Sequence, residues 1–310
     1  MGTIVRVVAY PNRDVSESAT RLAVNKAMEE FRRIEQLMSP RQENSDLVRM
    51  NSHSGEHVQV SEDTFRVTEK AIWAGKLSSG AFDITFATMS DLWKFGDWAD
   101  AHPKPPDPER VADRRRLIDY TKVELDPATR QVMVPKGRTI GLGGIAKGYA
   151  VDVASGVMRA AGVRDFMLQA GGDMYASGTK PGGEPWTTGV QDPRGAPDSI
   201  FARMELRDSG LSTAGDYERF YIDRGIRYHH IIDPRTGYPA KASRSVSIVA
   251  PSAFLTDAID DAVFILGPEK GLAIVESLPD VGAVIVDEHN KVWISKRLEG
   301  KVSVQRQPTP

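Results

Sequence analysis

Cysteine is absent from the 310-residue chain, which excludes disulfides, thiolate nucleophiles, cysteine lipidation and cysteine-ligated metals. That absence fits oxidising and reducing compartments alike. An excess of either charge is lacking too: 40 Lys and Arg stand against 42 Asp and Glu, a formal net charge of -2. The balance offers no electrostatic basis for binding nucleic acid or an anionic membrane. No apolar run approaches the roughly eighteen residues of a membrane-spanning helix, so no transmembrane segment is expected. The opening MGTIVRVVAY leads directly into a strand-like pattern and lacks the form of a signal peptide. Internal repeats and long low-complexity linkers are missing as well.

What is present is a composition of 40% hydrophobic and 26% charged residues, ordinary for a globular chain. A strand over residues 4–9 precedes a long helix over about 15–38. Asp14 and Glu17 offer it a capping box, and Ala19, Leu22, Ala23, Ala27, Phe31, Ile34 and Met38 an apolar stripe. A second helix follows Ser61 and runs to about Leu77. VELDPATRQVMVP has the alternation and turn residues of a hairpin. A third helix starts within GLGGIAKGYAVD, and the second half is rich in strands, with an aspartate-bearing helix, a short helix over 269–276 and a last hairpin. Strands and helices mix without regular βαβ alternation, so the expected class is α+β. One large domain is expected over 1–305, with a surface excursion near 94–115 and a loose tail at 306–310.

Three stretches carry chemistry. TDAIDDAVFILG, residues 256–267, spaces Asp257, Asp260 and Asp261 at i, i+3 and i+4, on one helical face. Such a face is either solvated or a site for a hard cation, since Mg2+ takes carboxylate oxygens and shares its shell with substrate phosphates. GLGGIAKGYAVD, residues 141–152, sets three glycines and Lys147 at a helix start. There, backbone N–H groups can approach an anion, or the glycines serve only a tight turn packed against a strand. RYHHIIDPRTGYP, residues 227–239, places His229 and His230 side by side. In a strand they face opposite ways, one buried and oriented, the other exposed. Phe82, Trp93, Phe95 and Tyr217 could wall a planar cofactor or fill the core.

Together these stretches give the chain its resemblance to the ApbE family, the FAD:protein FMN transferases. It runs from MGT at residues 1–3 to ILGPEKGLAIVE at 265–276, through MSPRQENSDLVRMN, SGAFDITFATMSDLW, LGGIAKGYAVD, AGGD, VQDPR, STAGDYERF, HIIDPRTGYP and TDAIDD. The resemblance implies Mg2+-dependent cleavage of FAD, with FMN passed to a threonine hydroxyl of an acceptor protein and AMP released. It implies that Asp257, Asp260 and Asp261, with a backbone carbonyl at Gly144, hold the metal. Met1, Ala81, Phe82, Asp83 and Ile231 match positions lining FAD. Lys147 and its helix N-terminus are assigned to the phosphates or ribose. His230, with an ordinary pKa near 6.5, is assigned as the base for the threonine proton.

The chain departs from the family pattern at Asp261, usually Thr; Gly141, usually Asp; Gln169, usually Asn; and Ala214, usually Ser. Arg41 stands near a position often aromatic. Asp261 keeps an oxygen ligand, whereas Gly141 removes a carboxylate that contacts the flavin nucleotide. Two rival readings use the same site: an FAD pyrophosphatase with water as acceptor, and a flavin-binding protein without catalysis. Many family members act outside the cytoplasmic membrane. A start at MGT implies either a removed leader and a periplasmic or membrane-associated protein, or a cytoplasmic form.

Overall fold

The structure is a computed structural model that describes residues 2–96, 99–100 and 103–310. Among the described residues a seven-stranded sheet forms the centre, its strands lying side by side in chain order: Val5–Ala9, Phe166–Ala170, Asp173–Ser177, Ser209–Gly215, Ser243–Ala250, Gly282–Asp287 and Val292–Ile294. Every neighbouring pair is antiparallel. The α+β expectation therefore holds, with five helices inserted between the first two strands and one between the fifth and sixth rather than alternating along the sheet.

Six α-helices are described: α1 Glu17–Met38, α2 Asp46–Ser52, α3 Glu62–Leu77, α4 Pro108–Arg115, α5 Ala146–Ala160 and α6 Ala253–Ser277. Helix α1 buries Ala23, Ala27, Phe31, Ile34 and Met38 as the periodicity requires, together with Thr20. Ala19 and Leu22 are exposed instead. The expected capping box is replaced by Ser16, whose hydroxyl accepts from the Ala19 N–H. Asp14 is withdrawn from the cap because its own N–H donates to Asn12 Oδ1 in a local turn. For α3, Ser61 caps through the Thr64 N–H, as its sequence indicates.

Helix α6 bends at Gly267, whose φ of 76° is left-handed, followed by Pro268. A ring at Pro268 cannot donate to the preceding turn, so the aspartate helix and the short helix expected over 269–276 join end to end. The excursion near 94–115 includes α4, pinned by fully buried Val111; residues 97, 98, 101 and 102 lie outside the described residues. The tail expected to be loose is anchored. Thr309 donates its N–H and hydroxyl to Asp192, and Arg306 pairs with the same carboxylate at 2.7 Å.

Trp93 and Phe95 stack at 6.2 Å, and Trp93 stacks on Tyr228 at 5.8 Å, inside a small core with Met89, Val111 and Ile232. The Trp93 indole N–H is taken by the Gly237 carbonyl. These two rings are core. The main core lies between the sheet and α1, α3, α5 and α6. Its function-bearing consequence is the contact of α5 with α6. A Cβ at Gly148 would lie 2.2 Å from the Ala253 carbonyl oxygen and 2.6 Å from Asp257 Cβ, so only glycine permits this approach.

Candidate metal and phosphate centre

That approach brings the first turn of α5 against the aspartate face of α6. The Gly148 N–H donates to Asp257 Oδ2 at 2.7 Å, and Lys147 Nζ donates to Asp257 Oδ1 at 3.1 Å. Lys147 also reaches Asp173 Oδ2 at 2.9 Å and the Gly143 carbonyl at 3.3 Å. Asp173 begins the third sheet strand, and its other oxygen accepts from Ser212 Oγ at 2.6 Å. Ser212 lies 2.5 Å from Asp260 Oδ2 as well. A hydroxyl has one proton to give, so the second of these short contacts needs a proton on a carboxyl.

Asp173, Asp257 and Asp260 are all buried, and each offers an oxygen within 4.8 Å of the others. Asp261 completes the group: a Cβ on Gly144 would stand 2.8 Å from its Oδ2, and 3.5 Å from Phe82 Cε2. Four carboxyls thus face one ammonium. Burial, and then the neighbouring aspartates, push Asp260 well above the ordinary carboxylate range. Burial lifts Asp257 up to about 7 and Asp261 up to about 6. Lys147 is held above its ordinary value because Asp173 and Asp257 outweigh its burial. The excess negative charge, the all-oxygen donor set and the burial fit a hard divalent cation such as Mg2+ or Mn2+. The solvated-face reading of TDAIDD is excluded, because Asp257 and Asp260 are buried.

His230 belongs to the same neighbourhood: burial lowers its pKa to about 3, with His229, Arg219 and Lys147 adding to the shift. Its Nδ1 is buried and has no hydrogen-bond partner among the described residues. His229 is the buried, oriented partner of the pair. The ring exposed on the opposite strand face that the sequence implies is replaced by a half-buried His230 lying just past the strand Ile226–His229.

The flavin-lining positions divide. Ala81, Phe82 and Ile231 are buried, and Phe82 lies against Gly144. Asp83 spends its carboxylate internally: Oδ1 accepts from Thr85 N–H and Oγ1, and Oδ2 from the Tyr120 N–H. Met1 lies outside the described residues. Lys147, assigned to phosphate or ribose, has its three N–H donors directed at Gly143, Asp173 and Asp257 instead. Asp173 and Ser212 join the site without a local motif of their own; the sequence signal for Asp173 is the AGGD turn, whose link to α6 lies in tertiary pairing.

The departures are also placed. A Cβ at Gly141 would lie 3.0 Å from Ala87 Cβ, so the turn Ile84–Met89 crowds any side chain there. Gln169 Nε2 donates to the Gly171 carbonyl, Ala214 is buried opposite Val246, and Arg41 is exposed.

A sequence model of the ApbE family matches residues 1–285. The chain belongs to the ApbE family. It is 31% identical over 326 residues to the FAD:protein FMN transferase of Treponema pallidum, covering 98% of this chain and 87% of that protein. With the Vibrio cholerae protein of the same name the identity is 30%, over 95% of this chain and 88% of the relative. The crystal structure of the ApbE protein from Thermotoga maritima superposes with a TM-score of 0.85 at 33% identity, covering 97% of this chain and 96% of that one. The flavin transferase ApbE of Vibrio cholerae superposes with a TM-score of 0.83 at 26% identity, with the same coverage. The ApbE fold thus covers 97% of the chain.

Proposed function

We propose that this ApbE-family chain is an Mg2+-dependent transferase that moves FMN from FAD to a threonine hydroxyl of an acceptor protein and releases AMP. The observation that supports it most is the convergence of the buried carboxylates of α6, Asp173 and the start of α5 in one place, with Lys147 close enough to His230 to lower its basicity. The threonine oxygen bonds to the FMN phosphorus, the bond from that phosphorus to the bridging oxygen breaks, and AMP leaves with that oxygen. A divalent cation held by Asp257, Asp260, Asp261 and Asp173 supplies neutralisation of phosphate charge.

The protein's own share is positioning and proton transfer. The first turn of α5 is held in place rather than open: the Ala146 N–H donates to the Leu142 carbonyl and the Gly148 N–H to Asp257, which fixes the start of the helix against the carboxylates. A ring with a pKa near 3 is neutral at working pH, as a proton acceptor must be. Negative phosphate brought beside it raises its basicity at the moment the proton moves. Phe82 gives apolar surface beside Gly144 and Asp261. The test is incubation with FAD, Mg2+ and a threonine-bearing acceptor domain, read by mass spectrometry and AMP release. A gain of one FMN mass with equimolar AMP is expected; AMP and free FMN without acceptor modification would instead make water the acceptor.

A further inference from the structure

Among the described residues Lys147 is the one ammonium placed by these four carboxyls, and its surroundings are unlike those of a phosphate-binding lysine. An ammonium has three donors, and Gly143, Asp173 and Asp257 account for all three at 3.3, 2.9 and 3.1 Å. Ser212 fixes Asp173 from behind, and the Gly148 N–H fixes Asp257. The lysine is therefore aimed inward by held partners, although its side chain is still 26% exposed and has a route to solvent.

The oxygens that hold Lys147 are oxygens a divalent cation needs. An ammonium and a divalent cation a few ångströms apart also repel, and more strongly where burial lowers the dielectric. We propose that Lys147 is a tethered counter-ion of this centre, parked by Asp173, which competes with the divalent cation and turns to the substrate's phosphates once that cation displaces it. The proposal rests on the metal reading given above and adds an order to it. Metal loading creates the phosphate-binding lysine, so metal and FAD bind with positive coupling through one side chain, each helping the other equally. Asp173 acts here as a positioning residue.

Two measurements without FAD decide it. In the first, Mn2+ alone is titrated into the purified protein, wild type against Lys147→Met and Lys147→Arg. Removal of a competitor should tighten Mn2+ binding by about tenfold or more, while Lys147→Arg, which keeps the charge, stays near wild type. A lysine with only a structural role would give weaker binding on substitution, and one poised for phosphate would give no change; either result overturns the proposal. In the second, wild-type protein is acylated with a dilute amine reagent, and modification at Lys147 is followed by peptide mass spectrometry. Mg2+ should raise the Lys147 rate several-fold against the other lysines, and an unchanged rate overturns the proposal even if Lys147→Met fails to fold. Neither assay reads AMP release, so failure of the transferase reading and failure of this proposal are separate results.

Discussion

The adjacent histidines His229 and His230 are held in opposite ways. His229 Nε2 donates to the Ala240 carbonyl at 2.7 Å and its Nδ1 accepts from the Ile231 N–H at 3.3 Å, whereas Nδ1 of His230 is buried without a partner among the described residues. His229 is a neutral structural clamp, its pKa lowered chiefly by burial. His230→Ala should abolish FMN transfer and leave the melting temperature nearly unchanged, because a base acts mainly in the transition state. His229→Ala should lower stability by about 2 kcal/mol through two lost buried hydrogen bonds, with a milder loss of transfer as His230 is displaced. Thermal melts beside single-turnover rates separate the two; full activity in His230→Ala would sink the assignment.

Stability without metal should fall as pH rises from 6.5 to 8. Burial raises Asp257 to about 7 and Asp260 well above the ordinary carboxylate range, so the folded protein keeps protons that the unfolded chain, with ordinary carboxyls, has released. Stability is then lost as pH climbs through the folded values. His230 acts oppositely, adding stability as pH rises between about 3 and its ordinary 6.5, which is why the window begins there. Saturating Mg2+ should flatten the trend, since the metal requires ionised oxygens, and the half-saturating Mg2+ concentration should rise as pH falls. Melting curves at several pH values with and without Mg2+ check both statements.

Asp261 and Asp257 should respond differently to removal. Asp261→Thr keeps an oxygen and loses a charge, so more Mg2+ is needed while activity at saturation is kept. Asp257→Ala leaves no oxygen and should not be rescued. Relief of repulsion alone would make both variants more stable without metal. For Asp257 the sign reverses, because the Gly148 N–H and Lys147 lose their acceptor, at a cost of about 1–3 kcal/mol. Superimposable Mg2+ titrations of AMP release for both variants and the wild type would return these residues to a purely structural role.

Asp192→Ala should release the C-terminal residues. That carboxylate accepts from Thr309 and pairs with Arg306, and its removal should cost about 1–3 kcal/mol and expose residues 306–310 to protease. Undiminished protection of the tail would count against the anchor.

What could be read along the chain is what local chemistry decides. Ser61 before α3, the turn at Pro127 and the i, i+3, i+4 aspartates are each specified within a few residues. The cap at Ser16 was misread because Asp14 has equal capping chemistry and only the Asn12 turn removes it from competition. Asp173 was missed because its role depends on Lys147 and Ser212, brought to it by strand pairing and by α5. The contacts of Lys147 with Asp173 and Asp257 are not legible either, since the spacing of a motif carries no direction for a long side chain. The anchored tail was illegible for the same reason: its acceptor, Asp192, lies 117 residues from Thr309.

The contact at Gly148 acts as a gauge for the whole centre. The separation between the lysine of one helix and the aspartates of the other is set by an atom that glycine does not have, with the Ala253 carbonyl just 2.2 Å from where it would stand. A methyl group there would wedge the helices apart, widening the cage without touching any of its ligands. The ion size this cage suits is therefore partly set by a residue with no side chain, since a slightly wider ring of oxygens suits a larger ion such as Ca2+ better than Mg2+.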